Sequence, residues 1–140
     1  MDVQFFDVAN APEIEAGGRK TILFNSDRFH VWIHGDWPGF KGNMHKHTAD
    51  EIFTCVRGSC TFHFPGGAKF DLTPGTCVVI PKGKAYRIEH TGEGYLALLG
   101  ARGEPDGMER WNTAGEIAQS DTEGGRRHKA ASPRTAGKLD

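Results

Sequence analysis

The chain has 140 residues, with 17 Lys or Arg against 18 Asp or Glu and a formal net charge of −1. That length is one domain by size and is long enough to bury a core. The balanced charge gives no global field for nucleic acid or an anionic membrane surface, and nineteen glycines, seven prolines and nine phenylalanines suit a turn-rich β protein better than a helical one.

The opening stretch, MDVQFFDVANAPE, is acidic and has neither a basic n-region nor an apolar h-region, so it does not read as a secretory signal. No apolar run approaches the roughly 20 residues that a membrane span needs. Three cysteines without an export signal read as reduced thiols, which places the chain in the cytoplasm. Residues 1–20 carry Val3, Phe5, Phe6 and Val8, followed by Pro12, Gly17 and Gly18. They predict an N-terminal arm or edge strand packed on the body or on a partner subunit.

Residues 21–34 predict two short strands, TILFN and RFHVWIH, parted by Ser26 and Asp27. The second alternates, with Phe29, Val31 and Ile33 on one face and His30, Trp32 and His34 on the other. If the apolar set faces the core, both histidines are solvated; if the other set does, they line a cavity. Asp36 to Gly39 is a turn by composition.

From residue 44 to 64 the pattern predicts two strands joined by a tight turn at Arg57-Gly58. His45 and His47, two apart on an extended strand, point the same way. Glu51 joins their face if the strand resumes in phase after Thr48-Ala49-Asp50. Two imidazoles and a carboxylate are the donor set of non-haem Fe(II) sites, and the same set accepts Mn, Ni, Cu or Zn. Glu51, Phe53 and Cys55 share one face, as do Cys60, Phe62 and Phe64. A two-residue turn would set Cys55 directly opposite Cys60, both inward, as a redox pair or as two small buried thiols.

Pro65-Gly66-Gly67 turns the chain again. Strands are predicted at 70–72, 77–80, 85–90 and 95–99, with Tyr86, Ile88 and His90 on one face of the third. Short strands punctuated by turns predict an all-β sandwich or barrel. After Ala101 large apolar side chains are few. The segment 121–140 has five Lys or Arg against three acids among small polar residues, and it predicts disorder. Trp111 is a candidate anchor back onto the barrel. The expected domain plan is an arm over 1–20, a barrel over 21–103 and an extension over 104–140, largely disordered after about 120.

The residues resemble the cupins, small β-barrels that mostly carry one metal. Gly39, His45, His47, Glu51 and Gly58 match every spacing of the family's first motif, and Gly75, Pro81 and Gly83 match the turn of the second. The resemblance covers roughly residues 28–100. It implies a single-domain jelly-roll barrel of two antiparallel sheets, with His45, His47 and Glu51 as ligands of a divalent ion, Fe(II) first, and a homodimer. The family's fourth ligand, usually histidine, is Tyr86 here, and its asparagine position is His90. Tyr86 is then a ligand, or an acid/base beside a three-residue metal set as in similar lyases acting on sulfonio-propionates, or the mark of a weakened site. The function implied is an Fe(II) dioxygenase acting on a small organic substrate chelated to the metal. The alternatives are a metal-assisted lyase or isomerase using Tyr86, and a non-catalytic small-molecule-binding barrel. His30, His34, Phe53, Phe62, Ile88 and His90 are expected to line the pocket or support the ligands. No nucleic-acid or membrane partner is expected.

Overall fold

The computed structural model describes residues 2–10 and 20–107, together with the backbone of 111–112 and 128–130. Strands β1 (Lys20–Asn25), β2 (His30–Asp36), β4 (Glu51–Arg57), β7 (Cys77–Ile80) and β9 (Leu96–Arg102), with β11 (His128–Ala130), form a six-stranded sheet in the order β11-β1-β2-β9-β4-β7. The facing layer holds β5 (Cys60–His63), β6 (Lys69–Leu72) and β8 (Arg87–Glu89) in the order β6-β5-β8, and β3 (His45–Lys46) paired with β10 (Trp111–Asn112). Residues 40–45 continue that layer along β8 through Gly42 N–H to Ile88 O, His90 N–H to Phe40 O and the reciprocal His45–Tyr86 bonds. No helix of the described residues is long and apolar enough to cross a membrane.

The period-two pattern explains what the layers bury. Phe53 and Cys55 from the large sheet and Cys60, Phe62, Tyr86 and Ile88 from the facing layer interdigitate in one core with Trp32, Leu96 and Leu98. A second, smaller cluster of Ile33, Tyr95 and Ala97 is packed by Val8, Leu23, Val56 and Leu99. Both faces of β2 are therefore buried around Ile33, the N-terminal arm contributing Val8 to the outer one. This resolves the alternation left open above: His30, Trp32 and His34 face the interior, at 0%, 3% and 8% exposure, while Phe29 is exposed.

Two expectations are corrected. β4 and β5 do not form a hairpin. β4 pairs with β7 and β9, and β5 with β6 and β8, so the chain passes from one layer to the other at Gly58-Ser59. Cys55 and Cys60 are thus not cross-strand partners; both are buried free thiols. Gly58 makes the passage possible. Its φ is +76°, and a Cβ there would lie 2.5 Å from the Tyr95 carbonyl oxygen. The last barrel strand runs three residues beyond Leu99, to Arg102. Within the extension, His128–Ala130 pairs in parallel with Lys20–Ile22. The rest of the segment expected to be disordered, 121–127 and 131–140, lies outside the described residues. Trp111 and Asn112 pair through their backbones with Lys46 and His45.

Candidate metal centre

The site is assembled by register. His30 on β2 is opposite Arg102 on β9, and Arg102 is opposite Glu51 on β4, so three inward side chains form one row across the large sheet. The facing layer closes over that row. His45 N–H donates to Tyr86 O at 2.9 Å and Tyr86 N–H to His45 O at 2.8 Å. The His45 ring lies 4.6 Å from Tyr86 and 4.9 Å from His47, and His47 lies 6.0 Å from Tyr86. His45, His47, Glu51 and Tyr86 are all buried.

A hydrogen bond orients the His45 ring. His45 Nδ1 is 2.7 Å from the Asn43 carbonyl oxygen, which only accepts, so Nδ1 carries the proton and Nε2 is the bare, donor-capable nitrogen. His47 Nδ1 lies 4.0 Å from Glu104 Oε1. That is an ion-pair separation, longer than a hydrogen bond, so the contact does not by itself fix the His47 ring.

Glu51 is held by two groups. Arg102 Nε donates to its Oε2 at 2.9 Å, and the Tyr86 phenol donates to the same carboxylate. Burial pushes the Glu51 carboxyl above the usual carboxylate range, while Arg102 and then the Tyr86 bond pull it back. Arg102 is itself buried and its pKa is raised; burial alone would lower it, and the Glu51 charge is the largest influence upward. Arg102 Nη1 lies 3.6 Å from Glu104 Oε1, and Thr48 Oγ1 donates to Glu104 Oε2 at 2.8 Å.

Beyond Arg102 the row ends in a second polar chain. His30 Nδ1 donates to the Glu104 carbonyl oxygen at 2.6 Å, which leaves Nε2 to accept from Lys20 Nζ at 3.1 Å. Lys20 also donates to Asp106 Oδ1 at 2.7 Å. Burial, then the Lys20 charge, lower the His30 pKa to about 4, so this ring is neutral at pH 7. Lys20 and Arg102 both lie over the Trp32 indole, 4.6 Å and 4.9 Å from its centre.

Among the described residues no group of three or more His, Cys, Asp or Glu side chains is gathered closely enough to hold an ion. The donor types nevertheless suit one. Glu51 Oε1 is buried without a hydrogen-bond partner, Oε2 being taken by Arg102. His45 offers Nε2, and Tyr86 adds an oxygen beside both imidazoles. The carboxylate such a set requires is bonded to Arg102 and Tyr86 in this structure.

The sequence-predicted residues divide. His45, His47, Glu51 and Tyr86 come together, with Phe53 and Phe62 rings against Tyr86 at 5.9 Å each and Ile88 in the same core. His30 reaches the site through Glu104. His34 packs on Phe40, with ring centres 5.4 Å apart, and His90 Nε2 donates to Gly94 O at 2.7 Å. Those two histidines are buried away from the Glu51 row. Sequence reasoning missed Arg102 and Glu104. The signal is present, since Leu98, Gly100 and Arg102 share the inward face of β9, but the run of large apolar residues stops at Leu99 and a strand predicted from it falls short of Arg102.

Residues 32–100 match the family model described as a cupin domain. Over 82 residues the chain is 27% identical to the auxin-binding protein T92 of Nicotiana tabacum, covering 52% of this chain and 44% of that protein. It therefore spans less than half the length of that relative. Among solved structures, the DMSP lyase DddQ of Ruegeria pomeroyi superposes with a TM-score of 0.61 at 18% identity, over 82% of this chain and 62% of that one. An uncharacterised protein with a double-stranded β-helix domain from Klebsiella pneumoniae superposes with a TM-score of 0.64 at 14% identity, over 76% of this chain and 95% of that one. At these identities the likenesses establish the fold.

Proposed function

The chain belongs to the cupin superfamily, its cupin domain at residues 32–100, and from that premise we propose a metal-dependent enzyme that moves a proton on a small anionic substrate, as a lyase or isomerase does. The observation that carries this reading is the Tyr86 phenol, bonded to Glu51 and lying against the His45 and His47 rings. His45, His47 and Glu51 would hold the divalent ion. When bound, the ion supplies Lewis acidity toward a substrate carbonyl or carboxylate.

The protein's own groups do the rest. Tyr86 holds a proton at the centre of the barrel and is the acid/base. Arg102 stands beside Glu51 as a fixed countercharge for an anionic phenolate. Phe53, Phe62 and Ile88 exclude water from one side of the phenol. Lys46 and Lys82 flank a cleft of roughly 380 Å³ that reaches His47 and Thr48, a setting that suits an anionic substrate. The DMSP lyase of similar fold supports lyase chemistry in a barrel of this shape.

The dioxygenase expected from the sequence rests on the same donors, with Fe(II) as its ion. The phenol–carboxylate contact favours proton transfer over it. The reading includes a homodimer in solution, which a monomer mass by light scattering would remove.

The deciding experiment measures metal content on untagged protein, then substrate deuterium exchange and oxygen uptake with a panel of small keto and β-substituted acids. Exchange without oxygen uptake is expected. Tyr86→Phe is expected to keep the ion and lose about 10²- to 10⁴-fold in turnover. Turnover coupled to oxygen uptake would replace this reading with the dioxygenase.

A further inference from the structure

Glu104 lies beyond the matched domain and belongs to no motif, yet it stands near His47 and near Arg102, which is bonded to Glu51. It is 6% exposed, and its Oε1 is buried without a hydrogen-bond partner. The nearest donors to that oxygen are Arg102 Nη1 at 3.6 Å and His47 Nδ1 at 4.0 Å. The other carboxylate oxygen is fixed by Thr48 Oγ1, one residue after His47, at 2.8 Å. The backbone is anchored independently, because the Glu104 carbonyl accepts from His30 Nδ1. One carboxylate therefore faces the far nitrogen of one candidate ligand and the guanidinium that holds another, Glu51.

A neutral imidazole carries its proton on one nitrogen only, and an acceptor placed at Nδ1 selects the tautomer whose Nε2 is bare. An oxygen left buried and unbonded is an incentive for that pairing. We propose that Glu104 is a positioning residue: it holds His47 in the Nδ1–H tautomer, with Nε2 facing the barrel centre, and through Arg102 it sets the orientation of Glu51. This inference rests on the metal reading above for its consequence, though not for the tautomer itself.

The test uses the full chain. Long-range ¹H–¹⁵N correlation spectra of metal-free protein report the His47 tautomer, and Zn²⁺ titration by calorimetry reports affinity. The variants are Glu104→Met, which removes the acceptor and keeps the backbone bond to His30, and His47→Ala. The expected result is a single Nδ1–H tautomer in the wild type, lost in Glu104→Met, with Zn²⁺ affinity down about 10- to 100-fold. His47→Ala is expected to lose binding altogether. An unchanged tautomer in Glu104→Met overturns the positioning role, as does unchanged affinity in that variant when His47→Ala has lost the ion. Wild-type affinity in His47→Ala overturns the metal reading instead, and the tautomer alone then decides the role of Glu104. If Glu104→Met does not fold, Thr48→Val, which removes the anchor of Oε2, is read by the same spectra and the same titration.

Discussion

Across the large sheet His30, Arg102 and Glu51 stand in one row and His34, Leu98 and Cys55 in another, four residues further along β2. Four residues of strand is about 13 Å. Each row buries a histidine on the same inward face. At the first, ionic groups answer one another: Glu51 is bonded to Arg102, and Arg102 lies beside Glu104. At the second, the contacts are a thiol bond to backbone and an aromatic ring. Cys55 Sγ donates to the Gly58 carbonyl, and His34 packs on Phe40. Burial, with Cys55 and Asp71 nearby, pushes the Cys60 thiol up to about 12. Histidine content therefore does not mark the site. Charged partners do, together with a cleft that reaches His47.

That contrast can be broken, the largest effect first. Arg102→Met strands the buried Glu51 carboxylate and is expected to cost about 3–5 kcal/mol in urea denaturation. A loss no larger than that of Leu98→Met would erase the distinction between the rows. The pH response of His30 comes next. Its folded pKa is depressed to about 4, so the unfolded chain takes up the proton first as pH falls. Stability should be fully present above about 6.5 and decline between there and about 4, by on the order of 3 kcal/mol. His30→Phe should flatten that part of the curve in chemical denaturation against pH, and a slope that survives the substitution refutes the assignment.

A smaller effect is expected between the rows. A Cβ on Gly100 would lie 2.5 Å from the Trp32 ring. Gly100→Ala should therefore cost about 1–3 kcal/mol by overpacking, and Trp32→Phe in the same chain should recover part of it on thermal melting. Additive losses would mean that the two residues do not meet. The mildest test leaves stability untouched. In native protein a thiol-reactive dye should titrate Cys77, which is exposed, and spare Cys55 and Cys60, which are buried. Reaction of all three before denaturation would show that the Cys55 end is open.

The strands were legible because turn residues punctuate them and period two orders their faces. His45, His47, Glu51 and Tyr86 were legible because a resemblance supplied the motif. What escaped depends on contacts that are distant in sequence. The crossing at Gly58 looks like a hairpin until the Tyr95 carbonyl is seen to exclude a Cβ. Either face of β2 could have faced inward, because Ile33 and Trp32 are both buried, by different clusters. Arg102 and Glu104 gain their meaning from Glu51 and Thr48, roughly fifty residues earlier in the chain. A charged residue after an apolar strand carries no such signal by itself.

The indole of Trp32 lies across Gly100, edge-on to Phe53 at 5.4 Å, with Lys20 and Arg102 over it. It sits two residues, about 7 Å, along β2 from the Glu51 row. Trp32 and the two cations stacked on it fill the interior on that side of the row, like a stopper, and leave the lysine-flanked cleft at His47 as the side that meets solvent.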